Sequence, residues 1–248
     1  MLLVIGASST TAKYMKSFFK KDTLLFSDKK KGSDYFIDLK NIKLLDFDRR
    51  ITHAVFLAGI TNIEFCNKYP DIAKEINCIN TIKLIIKLNN IGIKVLFPSS
   101  TCVFSSKSNK DNFETSSINP DTIYGKLKGE VENIILQNKL NTVLRISKII
   151  APDNELLVNW KKELLNNRNI QAFVDLKLAP LSVFTLIKYL YDWYNSNYSG
   201  ILHLSPSSDI NYFELANKMA DYLYIDNDLV KPISITESNK EIFYQPYK

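Results

Sequence analysis

The chain has 248 residues, 46% hydrophobic and 23% charged, which suits one α/β domain with or without a smaller lobe and excludes disordered, fibrous and disulfide-stapled chains. Its net charge of +6 rests on lysine, since the only arginines are Arg49, Arg50, Arg145 and Arg168. That is a poor set for reading bases, so nucleic acid is not an expected partner. Three cysteines, Cys66, Cys78 and Cys102, without C-x-x-C spacing suit a reducing cytoplasm, and with only His53 and His203 no metal site is expected. No leader segment or membrane span is read in the sequence, so a cytoplasmic protein without a membrane partner is expected.

Leu2 to Ile5 is a short apolar run of the kind a parallel strand buried on both faces needs, and Gly6 ends it. A helix is expected over Ala12 to Phe19. Further apolar runs at Thr23 to Phe26, Tyr35 to Ile37, Ala54 to Leu57 and Ile93 to Phe97 read as strands. Between the last two, Ile72, Ala73, Ile76, Ile79, Ile82, Ile85 and Ile86 make a stripe of helical period over Pro70 to Asn89. A polar loop from Ser105 to Asn119, a helix from about Asp121 to Asn138 and a strand over Thr142 to Ile146 continue the alternation. Beyond it, helices are expected near 154–167, 182–195 and 211–224, with strands near 170–174 and 200–204. Alternating strands and helices imply α/β, a Rossmann-type doubly wound parallel sheet. The expected division is a dinucleotide-binding part, 1–150, and a smaller substrate lobe, 151–248, packed on it with some elements shared.

Gly6-Ala7-Ser8-Ser9-Thr10-Thr11-Ala12 stands where the first strand turns into a helix, the place where small residues and backbone N–H groups receive a pyrophosphate. Gly6, Ser9 and Ala12 fill a G-x-x-G-x-x-G spacing, with Ser9 a departure that shifts the phosphate or adds a hydroxyl contact. Asp28 closes the second strand twenty residues later, where an acid holds a ribose 2′-OH, and Lys29 to Lys31 follow it, where cations favour a 2′-phosphate. The cofactor is therefore read as NADP or NAD. Tyr124 and Lys128 form a Y-x-x-x-K pair on one helix face, where the lysine is expected to lower the tyrosine pKa. Tyr244 and Lys248 repeat the spacing at the terminus, so spacing alone is weak. Context adds Pro98-Ser99-Ser100-Thr101, which sets hydroxyls at the carboxyl edge of a central strand.

These features, together with Ala58-Gly59-Ile60-Thr61-Asn62-Ile63-Glu64-Phe65-Cys66, Asn77-Cys78-Ile79-Asn80-Thr81, Glu114, Asn119-Pro120, Tyr124-Gly125, Leu144-Arg145, Gly200 to Leu204 and Phe213 to Ala216, resemble the extended short-chain dehydrogenase/reductases, and within them the dTDP-4-dehydrorhamnose reductase family. The resemblance implies Ser100, Tyr124 and Lys128 as the catalytic set. It implies cofactor contacts from Gly6, Ser8, Ser9, Thr10, Asp28, Lys29, Asp38, Leu39, Ala58, Gly59, Thr61, Asn77, Tyr124 and Lys128. It implies substrate contacts from Thr61, Ile63, Ser100 and Thr101.

The expected reaction is NAD(P)H-dependent reduction of a nucleotide-activated keto-sugar, of the 4-keto-6-deoxy type, for surface polysaccharide. A nucleotide-sugar epimerase or dehydrogenase, and a non-catalytic reductase-like subunit, stay open as alternatives, and the resemblance leaves room for a homodimer. Thr101-Cys102 replaces the Asp-Tyr usual in these reductases, and the Asp-Glu pair of the 4,6-dehydratases is missing. Where this chain ends at Gln245 to Lys248 the relatives continue, so part of the sugar pocket is expected to be shorter or supplied by a neighbour.

Overall fold

The computed structural model describes residues 1–29, 32–42, 46–105 and 112–235. Lys30, Lys31, Tyr244 to Lys248 and part of the polar loop fall outside the described residues. In chain order the elements are β1 Leu2–Ile5, α1 Thr10–Met15, β2 Leu24–Asp28, β3 Tyr35–Phe36, β4 His53–Phe56, α2 Ile63–Lys68, α3 Pro70–Lys74, α4 Thr81–Asn90 and β5 Lys94–Ser100. There follow α5 Ile123–Ile135, β6 Asn141–Ile146, β7 Lys148–Ile150, α6 Glu155–Leu165, β8 Ile170–Phe173, β9 Lys177–Leu178, β10 Pro180–Ser182, α7 Val183–Tyr194, β11 Gly200–Leu204, β12 Ile210–Asn211, α8 Tyr212–Tyr222 and β13 Val230–Ile233.

Seven parallel strands form the central sheet in the order β11-β6-β5-β4-β1-β2-β3. This is a Rossmann-type arrangement whose order reverses between β1 and β4, the point where open sheets bind ligands. Both faces are covered. Leu3 and Ile5 of β1, with Val95 and Phe97 of β5, enter one apolar layer with Leu84, Leu88, Leu127 and Val131 of α4 and α5. Leu2, Val4 and Leu96 enter the other, with Ala12 and Met15 of α1 and Leu186, Ile187 and Leu190 of α7. This two-sided burial is why the central strands are continuous apolar runs.

Elements late in the chain are shared with the sheet. Strand β11 pairs with β6, and α7 covers the α1 face, although both lie beyond residue 150. The smaller third core joins Trp160, Leu164, Ile170, Ala172, Ala216, Ala220 and Val230 from α6, β8, α8 and β13. Helix α8 starts on a reciprocal cap. The Asn211 side chain accepts the Glu214 amide, and the Glu214 carboxylate accepts the Asn211 amide.

Three helical segments differ from expectation. The stripe over Pro70 to Asn89 is interrupted, because Glu75–Asn80 adopts the wider π form between α3 and α4. Helix α1 spans Thr10–Met15 because Ser9 caps it early, its hydroxyl accepting the Ala12 amide, and the chain turns after Met15. Helix α2 was not expected; Asn62 caps it by accepting the Phe65 amide. Among the described residues no helix is long and apolar enough to cross a membrane, and no three His, Cys, Asp or Glu side chains cluster as metal ligands.

Candidate active site

The turn after β1 approaches the loop after β4 so closely that a Cβ at Gly6 would lie 2.6 Å from the Ala58 nitrogen, and Gly6 also takes φ of 101°. Only glycine fits both conditions. The amides of Gly6 and Ala7 both donate to the Ser27 carbonyl, tying the turn to β2. One residue on, the Ser8 amide donates to a carboxylate oxygen of Asp28 at 2.8 Å, so the acid that ends β2 also shapes the turn. The Ser9 hydroxyl is used as a helix cap, which accounts for a serine at this position without invoking a phosphate contact.

Along the carboxyl edge of the sheet lies a cavity of about 690 Å³, within the range of small-molecule sites. It gathers Gly6, Ser8, Ser9 and Thr10 from the first turn, Asp28 and Lys29 from the end of β2, and Asp38 and Leu39 beyond β3. Ala58, Gly59 and Thr61 follow β4, Asn77 comes from the π turn, Ser100 ends β5, and Tyr124 and Lys128 come from α5. Two expected substrate contacts are not brought there. Ile63 is buried in the apolar layer under α4 and α5, and Thr101 is buried in the single 3₁₀ turn Thr101–Val103 that follows β5.

Asn77 holds the loop rather than offering a free amide. Its Oδ1 accepts the Ile60 amide and its Nδ2 donates to the Ile60 carbonyl, both at 2.7 Å, the pairing a neighbouring strand would supply. Replacing Asn77 by leucine takes the side-chain partner from both part-buried backbone groups of Ile60, a loss of up to about 1–3 kcal/mol for each. The expected outcome is a lower thermal midpoint together with weaker nicotinamide-nucleotide binding by calorimetry; unchanged values of both would contradict this role.

Tyr124 and Lys128 share the inner face of α5. The Lys128 ammonium donates to the Pro98 carbonyl at 2.8 Å and sits 4.2 Å from the Phe97 ring centroid, but 5.8 Å from that of Tyr124. Burial pulls its pKa down to about 8, opposed first by the charge of Glu132. Burial also raises the Tyr124 phenol above its ordinary range, reinforced by Cys102 and Cys66. The expectation that Lys128 lowers the tyrosine pKa is therefore corrected: desolvation outweighs a cation aimed at a carbonyl. Ser100 lies at the strand end with its hydroxyl accepting the Cys102 amide, which leaves its own proton available for donation.

Sequence reasoning missed a strip of the cavity wall, Ser147 between β6 and β7, Lys148 and Ile149 of β7, and Asp153 before α6. The signal for it was weak, because polar residues there read as an ordinary loop. Asp153 ties the strip to α1 by accepting from Tyr14 Oη at 2.9 Å and Lys13 Nζ.

A family model for the RmlD substrate binding domain matches residues 1–242. The chain belongs to that family. It is thereby placed among the extended short-chain dehydrogenase/reductases, as its motifs imply. The spore coat polysaccharide biosynthesis protein SpsK of Bacillus subtilis is 24% identical over 185 residues, covering 74% of this chain and 65% of SpsK, so the match spans slightly less than two thirds of that relative. The dTDP-4-dehydrorhamnose reductase of Bacillus anthracis, solved in complex with NADP, shares the fold with a TM-score of 0.84 at 20% identity, over 99% of this chain and 88% of that one. The UDP-N-acetylglucosamine 4-epimerase of Methanobrevibacter ruminantium, solved with UDP-N-acetylmuramic acid, does so at 0.80 and 17% identity, over 100% and 88%. Reductase and epimerase thus share one RmlD-like scaffold, and the side chains must separate them.

Proposed function

We propose that this member of the RmlD family is an NAD(P)H-dependent reductase of a nucleotide-activated keto-sugar, with a 4-keto-6-deoxy sugar for surface polysaccharide as the substrate class. The observation that carries the reading is one cavity holding Ser100, Tyr124 and Lys128 at one end and the Gly6 turn with Asp28 at the other. The residues fit a dinucleotide. Gly6 permits a turn that any side chain would block, and the buried Ser99 hydroxyl lining the same cavity has no partner among the described residues. The NADP complex of the Bacillus anthracis reductase and the polysaccharide role in the name of SpsK agree with it.

When bound, a reduced nicotinamide supplies hydride to the carbonyl carbon. Tyr124 gives its phenolic proton to the carbonyl oxygen. Ser100 donates a hydrogen bond to that oxygen, so the two hydroxyls act on charge that develops in the transition state. Lys128 holds positive charge behind them from its seat on Pro98.

The test is NAD(P)H oxidation with a panel of nucleotide keto-sugars. Tyr124→Phe is expected to reduce kcat by about 10²–10⁴-fold, the usual contribution of a positioned acid. Turnover equal to that of the unmodified protein would overturn the assignment.

A further inference from the structure

Lys148 opens β7, and its backbone is fixed by pairing with Pro180 of β10, while the next residue, Ile149, packs on the α7 side of the core. Its half-buried side chain lines the cavity together with Ser100, Tyr124 and Lys128. Ile146, the last residue of β6, pairs with Ser100 at the end of β5, so Ser147 and Lys148 follow directly beside Ser100, at the catalytic end and not at the Gly6 turn. Among the described residues the Lys148 side chain makes no hydrogen bond and no ion pair.

The acids that line the same cavity are engaged elsewhere. Asp153 accepts from Lys13 and Tyr14, Asp28 accepts the Ser8 amide, and Asp38 accepts the Lys40 amide. Directly before Lys148, the Ser147 hydroxyl is more than nine-tenths buried, lines the cavity and has no partner among the described residues. A buried hydroxyl without a partner and a cation without a counter-charge, side by side at one wall, are both satisfied by one negatively charged oxygen donor set.

We propose that Ser147 and Lys148 form the receptor for a negatively charged group of the substrate, so that Lys148 sets which nucleotide sugars are accepted. The inference rests on the proposed reductase reading and deepens it. Two substrate groups carry the required oxyanion: the diphosphate of the nucleotide, or a carboxylate on the sugar.

Calorimetry on the full chain with NADPH present separates the cases, using UDP, dTDP, UDP-glucose and UDP-glucuronic acid as probes. Lys148→Met is expected to weaken binding about tenfold or more, the loss of one charge-assisted hydrogen bond, while Lys148→Arg retains most of it. NADPH affinity is expected to stay within about twofold, since the cofactor end of the cavity is untouched. A loss shared by all four probes assigns the diphosphate, and a loss confined to UDP-glucuronic acid assigns a sugar carboxylate; either supports the receptor. Equal affinity of Lys148→Met and the unmodified protein for every probe overturns it. If the unmodified protein binds NADPH but none of the probes, the nucleotide-sugar reading itself fails, and the two failures are told apart.

Discussion

Replacing Gly125 by alanine is expected to cut turnover about 100-fold, since a displacement of an ångström at the reacting groups costs that much, and to lower the thermal midpoint. Helix propensity argues the other way: alanine inside a helix is worth about 1 kcal/mol over glycine. Packing decides the sign. A Cβ on Gly125 would stand 2.0 Å from the Cys102 carbonyl oxygen and 3.0 Å from the Pro120 side chain. The first partner is backbone of the 3₁₀ turn that Ser100 caps, and it cannot swing away as a flexible side chain could.

Helix α5 would have to withdraw by more than an ångström, taking Tyr124 from Ser100. Overpacking of this kind costs about 1–3 kcal/mol, which at roughly 2–4 °C per kcal/mol for a chain of this size means a drop of several degrees. Circular dichroism melting and NAD(P)H oxidation measure the two effects. An alanine variant as stable and as active as its parent would show that α5 does not depend on this contact.

How much of this could be read in advance differs by element, and the reasons are physical. Strands β1, β4 and β5 declare themselves because burial on both faces demands continuous apolar runs. Tyr124 and Lys128 share a face because helical periodicity is local. The partners of hydroxyl and amide groups are not local. Ser9 in the phosphate turn reads equally as a ligand contact or a cap, and only the Ala12 amide at 3.2 Å decides. Asn77 is recognisable as a residue near the site, yet its pairing with Ile60 depends on the π turn that rotates it there. The seventh strand, β11, joins β6 across 58 residues of sequence, a pairing no periodicity reveals. Lys148 and Ser147 escaped notice because their meaning lies in what does not pair with them.

Glu132→Ala is expected to destabilise the protein by about 3–5 kcal/mol, a fall of roughly 10 °C in thermal midpoint. Glu132 lies two turns beyond Tyr124 on the face that also carries Lys128, and its carboxylate takes the Arg145 guanidinium at 2.8 and 3.1 Å. Both side chains are almost fully enclosed, at 4% and 1% exposure. Arg145 also donates to the Glu114 carbonyl and to His203 Nε2 and lies over the Phe104 ring, so one cation ties α5 to β6, β11 and the approach to the catalytic helix.

Removing the carboxylate leaves that cation buried without its counter-charge, which is why the single change costs far more than a surface pair would. Replacing both members, Glu132→Leu with Arg145→Met, is expected to recover most of the loss, because neither charge then needs solvating. The site registers the change independently. Glu132 is the strongest influence raising the Lys128 pKa against burial, so in Glu132→Gln that pKa falls further below its present value near 8. If Lys128 acts as the ammonium, the alkaline fall in kcat/KM moves to lower pH in this variant. A variant with unaltered melting would refute the anchoring role, and one with an unshifted alkaline limb would separate Glu132 from the chemistry of Lys128.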